Sequence, residues 1–136
     1  MSSLSVVNDS SVSRSDVLER TVPVVISTAQ SLDFNTNGFS TGGGVVSSSG
    51  VLYYICGAAT TMTFPVNYSR YKGRVVHISG NGGAVSVPAS NVVSSGSVVD
   101  ISGTSVNGST LVSSGQWVSL ICDGSTGWLV FATDSA

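Results

Sequence analysis

Gly115-Gln116-Trp117-Val118-Ser119-Leu120-Ile121-Cys122 runs into Asp123-Gly124-Ser125-Thr126-Gly127 and returns as Trp128-Leu129-Val130-Phe131. An apolar run of strand length meets a tight polar turn and leaves it as a second apolar run. That is the pattern of a β-hairpin, with a tryptophan on each arm. Core burial is the expectation for both Trp117 and Trp128. A tryptophan left exposed at a tip would instead offer a flat face for stacking on a sugar.

The segments before this hairpin repeat its design. Val22-Pro23-Val24-Val25-Ile26 opens the series, and Pro23 places it at a strand start or sheet edge. Phe34 to Phe39 reads as a turn flanked by aromatics, and Gly42-Gly43-Gly44 as a joint before Val45-Val46. After the Ser47-Ser48-Ser49-Gly50 turn, strands are expected at Val51 to Cys56, Thr60 to Phe64, Arg74 to Ile78, Ala84 to Val87, Ser97 to Ile101 and Ser109 to Val112. Short strands separated by Gly, Ser and Asn turns, without helical periods between them, indicate an all-β domain. The expected fold is an antiparallel β-sandwich or barrel-like body. The 23 valines suit a pleated, half-buried surface. Val76 and Ile78 fall on one face of their strand, Val75 and His77 on the other. No repeat of fixed period is evident, which gives no ground for a solenoid beyond a short β-helical stretch.

Residues 1–21 differ. They are Ser-rich and lack a period, and Asp16-Val17-Leu18-Glu19 resembles a capping box for one helical turn around 14–20. They read as an extended N-terminal arm, either a disordered terminus or a segment that orders by binding a partner, with 22–136 as the β-domain. Arg14, Asp16, Leu18 and Arg20 are its candidate contacts with a partner. The start of the chain has neither a basic n-region nor a long apolar h-region, so no signal peptide is read there and synthesis in the cytoplasm is expected.

Only 9% of the 136 residues are charged, against about 25% in an average protein. Polarity is supplied instead by hydroxyls, including 28 serines, which are cheaper to desolvate than ions. Such a chain is suited to being covered by neighbours, and an assembled life is expected of it. No apolar run approaches the roughly 20 residues of a membrane helix. A net charge of −2 gives nucleic-acid binding no support, since phosphates call for clustered cations.

Reaction centres are equally hard to assemble. His77 is the one histidine and lies within an apolar strand, so a triad would need Asp100 or Asp123 beside it. After the arm the acids are Asp33, Asp100, Asp123 and Asp134, with Asp123 already suited to its Asp-Gly turn. Cys56, Cys122 and His77 do not make a metal set; the two cysteines read as small core residues, with a disulfide left open. No catalytic residue, cofactor or metal is expected. One loop stands out: Tyr68, Arg70, Tyr71, Lys72 and Arg74 bring three of five basic residues beside two tyrosines. Tyr and Arg are enriched at interface hot spots, so these five are candidate contacts for a protein partner or a glycan. The bland alternative is a solvated loop whose tyrosines cover the sheet end.

The segments TMTFPV, KGRVVHISGNGGAVSV and VNGSTLVSSGQWVSLICDGSTGWLV, within residues 61–130, resemble the small β-domains of bacteriophage virion proteins: fibres, spikes and capsid-decoration proteins. The resemblance covers about half the chain. It implies a non-enzymatic protein, commonly a homotrimer, attached to the virion by an N-terminal segment. Shaft repeats of long fibres are missing here, which favours a compact capsid-decorating (cement or head-fibre) protein whose partner is the major capsid protein or another virion protein. The second expectation is a tail-fibre or spike module that recognises host surface glycan.

Overall fold

The structure, a computed structural model, describes residues 23–37, 51–89 and 95–134. The arm with Arg14, Asp16, Leu18 and Arg20, its helical turn, the Gly42-Gly43-Gly44 joint and the 47–50 turn lie outside the described residues. The strands are β1 (Val24–Ile26), β2 (Gln30–Asp33), β3 (Val51–Cys56), β4 (Thr60–Thr63), β5 (Val75–Gly80), β6 (Val85–Ser86), β7 (Val98–Val99), β8 (Thr110–Val112), β9 (Trp117–Cys122) and β10 (Trp128–Thr133). One helical turn, α1 (Phe34–Asn37), follows β2.

These strands build a six-stranded sheet, β1-β3-β5-β9-β10-β7, and a four-stranded sheet, β2-β4-β6-β8. The two pack together as an all-β sandwich. Both sheets are mixed, whereas antiparallel pairing was the expectation from the hairpin. β1, β3 and β5 run parallel, and so do β2, β4 and β6. Antiparallel pairing enters with β9, between β5 and β10, and with β8 on β6.

The parallel pairs arise because the chain winds. β1 turns through residues 27–29 into β2, β3 through 57–59 into β4, and β5 through 81–84 into β6. Each pass lays one strand in each sheet, so the three passes stack as rungs. Their turns are hydrogen-bonded in register. The Gly57 N–H donates to the Ile26 carbonyl at 2.8 Å, and the Asn81 N–H to that of Cys56 at 2.9 Å. On the other side of the turns, Gln30 donates to Ala59 and Thr60 to Ala84, at 3.1 and 3.0 Å. The body is thus a three-rung β-helical stack, flanked on each sheet by an antiparallel strand. Rung spacing is uneven: Val24 pairs with Tyr54, thirty residues on, and Tyr54 with Ile78, twenty-four on.

The core lies between the sheets. Tyr54, Ile78 and Val118 form one inward row, and Leu52, Val76, Leu120 and Val130 the next. An aromatic chain crosses it. Phe34 sits 5.5 Å from Tyr54 and 5.6 Å from Phe64, and Phe64 lies 5.4 Å from Trp128, ring centre to ring centre. Trp128 is fully buried, and its indole N–H reaches the Pro65 carbonyl at 3.1 Å. Cys56 and Cys122 are free thiols in this core, and burial raises the pKa of both.

Candidate functional site

The loop between β4 and β5 brings the Tyr/Arg cluster to one end of the sandwich. Tyr68 and Tyr71 are half-buried and packed on the core. The Tyr68 hydroxyl accepts the Ser97 N–H at 2.8 Å, and the Tyr71 ring lies 6.2 Å from Trp128. Arg70 places its guanidinium 5.8 Å from the Tyr71 ring centre. The Lys72 stem lies over Gly124, where an added Cβ would meet its Cγ at 2.6 Å. Arg74 is half-buried, and its carbonyl accepts the Cys122 N–H at 3.1 Å. The five residues do sit together. The two tyrosines close the end of the body, and Arg70 and Lys72 are the exposed charges of the group.

His77 projects from the outer face of β5. Its Nδ1 pairs with the Ser119 hydroxyl on β9, and its ring stacks 5.6 Å from Tyr53 on β3. Burial lowers its pKa. The Ser119 residue is only 2% exposed, so an incoming substrate has little access to that hydroxyl.

Each acid of the body has a backbone task. Asp33 accepts the Asn35 N–H at 3.0 Å, and Asp134 the Trp117 N–H at 2.8 Å. Asp100 accepts the N–H groups of Ser102 and Thr104, both at 2.9 Å, and the Ser102 hydroxyl at 2.7 Å. Asp123 takes the N–H groups of Ser125, Thr126 and Gly127 and the Thr126 hydroxyl, which ties the last hairpin. The Thr126 hydroxyl, followed by the backbone donors, holds the Asp123 carboxyl well below the usual carboxylate range.

A lowered native pKa contributes stability that is present above the unfolded value, near 3.9, and is lost as pH falls through the native one. Asp123→Asn should therefore lower the melting temperature at pH 7, and the deficit should shrink progressively below about pH 4. A deficit equal at pH 7 and pH 3 would contradict the role given to the carboxylate.

The outer faces of the two sheets differ sharply. On the four-stranded sheet, Ser31, Thr61, Ser86 and Thr110 are in register across all four strands, one hydroxyl per strand. An open depression beside this row is lined by Thr61, Ser86, Pro88, Ser109 and Thr110. Asp33 and Thr63 form the next rank, so this face is wettable.

On the six-stranded sheet the ranks are Val25–Ile55–Ser79–Trp117, then Tyr53–His77–Ser119–Ala132, then Val75–Ile121–Leu129–Val99. Nine of these twelve are apolar or aromatic and none is Asp, Glu, Lys or Arg; the first rank ends beyond Trp117 in Asp134, an exposed carboxylate at the corner of the face. Val25 is 55% exposed, and Tyr53 and Trp117 are each 42% exposed. Phe131, at the bulge between Val130 and Ala132, is also exposed. Trp117 therefore departs from the core burial expected of it: it lies on the outward side of β9, while Trp128 fills the core.

The dry face escaped the sequence reading, though it left a signal. Val51 to Cys56 is apolar on both sides of the strand instead of alternating with polar residues. A continuous run of that kind marks a strand with something on each face. Comparison with known protein families, with curated proteins and with solved structures found no match to this chain.

Proposed function

We propose that this chain is a non-enzymatic structural protein of a bacteriophage particle. In this reading it is an oligomer, a trimer by the family resemblance, that decorates the outside of the capsid in the manner of a cement or head-fibre protein. Residues 1–21 serve as the anchor to the shell and 22–136 as the β-body. The observation that carries the reading is the outer face of the six-stranded sheet, largely apolar among the described residues with one carboxylate, Asp134, at its corner, a surface suited to contact with other protein. The commitment of Asp33, Asp100, Asp123 and Asp134 to backbone N–H groups supports a body given to structure over chemistry. A decorating protein acts by linkage: binding only the assembled shell, it shifts shell stability by RT ln(1 + [L]/Kd).

A second reading, a tail-fibre or spike module that contacts host glycan, is favoured by the hydroxyl row Ser31–Thr61–Ser86–Thr110. One experiment separates the two. Antibody raised against the β-body, applied to intact phage particles released from cells carrying the gene, should label the capsid shell under the electron microscope. Particles made with the chain lacking residues 1–20 should carry no label, while the truncated protein keeps its β-sheet circular dichroism. Label at the tail tip would transfer the protein to the second reading. Particles without label anywhere would remove it from the virion altogether.

A further inference from the structure

We propose that the outer face of the six-stranded sheet is the surface through which copies of this chain associate. The inference rests on the assembled reading above and adds to it the contact itself. Strands that are apolar on both sides, as in buried parallel sheets, are normally covered on both. Here one side is covered by the four-stranded sheet. The other carries Val25, Tyr53 and Trp117 outward, around an uncharged His77–Ser119 pair.

The occupant follows from charge. Away from the Asp134 corner, an Asp, Glu, Lys or Arg docked on this face would meet no opposite charge among the described residues and would lose its hydration unpaired. The occupant is therefore a charge-poor, largely apolar surface, and this chain carries one. Two such faces opposed bring few charges together, since among the described residues only Asp134, held at the corner by the Trp117 N–H, adjoins these ranks. The extent also fits. The strands of this sheet hold 29 residues. At roughly 16 Å² of sheet per residue, two opposed copies cover about 900–1,000 Å² between them. That lies below the roughly 1,200 Å² at which stable specific interfaces begin, in the range of weak ones, so association should be concentration-dependent.

The test is mass in solution by light scattering and sedimentation. The full chain should rise from its monomer mass of 13.8 kDa toward twice that value with concentration, the mass of one face-to-face pair. The double variant Tyr53→Lys/Trp117→Lys places charges where side chains are already exposed, and it should hold the monomer mass throughout. If that variant fails to fold, Val25→Lys at the sheet edge gives the same reading. The control Thr61→Lys/Ser86→Lys, on the hydroxyl face, should associate like the parent chain. A parent chain that stays monomeric at the highest concentration overturns the proposal. So does a dry-face variant that still associates, or a control that dissociates equally. None of these outcomes depends on particle labelling, so failure here leaves the virion reading to its own test.

Discussion

Trp128→Ala should cost about 3–5 kcal/mol of folding stability, the range for an aromatic removed from a packed core. A domain holds only about 5–15 kcal/mol in total, so the variant should sit close to unfolding. The expectation rests on position. Trp128 is fully buried, meets Phe64 at 5.4 Å and Tyr71 at 6.2 Å, and lies in register with Cys122 and Val98. It thereby links β9, β7 and the Tyr/Arg loop in one contact set. Its N–H also satisfies the Pro65 carbonyl, so Trp128→Phe, which keeps much of the ring volume, should still lose about 1–3 kcal/mol through the unpaired acceptor.

Urea unfolding followed by far-ultraviolet circular dichroism reads both losses. Trp117→Ala, measured at a concentration where the chain is monomeric, is the comparator. Its ring is 42% exposed, so its cost should stay within about 0.5 kcal/mol. Equal costs for the two tryptophans would mean that the division of the hairpin into a buried arm and an exposed arm is wrong.

That division shows where sequence reading succeeds and where it stops. The strand segments were legible because each is a β-branched or aromatic run closed by Gly, Ser or Asn. Val51–Cys56 and the two arms of the last hairpin fall where that chemistry puts them. The turn role of Asp123 was legible for the same reason: Asp-Gly after a strand is a local signal.

Pairing partners are not local. Nothing within Val51–Cys56 distinguishes a parallel neighbour from an antiparallel one, and rungs thirty and then twenty-four residues apart leave no period to detect. β2 was missed because Gln30–Asp33 holds one apolar residue, Leu32, and becomes a strand by pairing with Thr60–Thr63. The Tyr/Arg loop was found by residue type. Type alone, however, does not reveal that Tyr68 and Tyr71 close the core, leaving Arg70 and Lys72 outward. The dry face required knowing which side of β3 and β5 the second sheet covers.

Gly83→Ala should be the most damaging single-methyl change on the turn side of the body. Gly83 lies where the third turn stacks on the second. A Cβ there would come within 2.6 Å of the Ala58 Cα, and closer still to the Ala58 carbonyl. Those atoms are backbone, so no side chain can swing aside; the rungs themselves must part. The Gly83 N–H shares the Cys56 carbonyl with Asn81, and the neighbouring Ala84 carbonyl accepts from Thr60. Parting the rungs therefore strains the hydrogen bonds that hold β5–β6 on β3–β4.

Overpacking usually costs about 1–3 kcal/mol, and contact with fixed backbone places this variant at or above the upper end. Gly103→Ala supplies the contrast. Gly103 has φ +89 and open space around its missing Cβ, so its cost is conformational alone, about 1–2 kcal/mol. Gly83 is not among the positive-φ glycines, and its cost is steric alone. The stacked-turn account therefore predicts that Gly83→Ala is the more destabilising of the two, with faster amide exchange at Thr60 and Asn81. Should Gly103→Ala prove the worse, or exchange at Thr60 and Asn81 stay unchanged, the rungs are not in the close contact on which both outer faces depend.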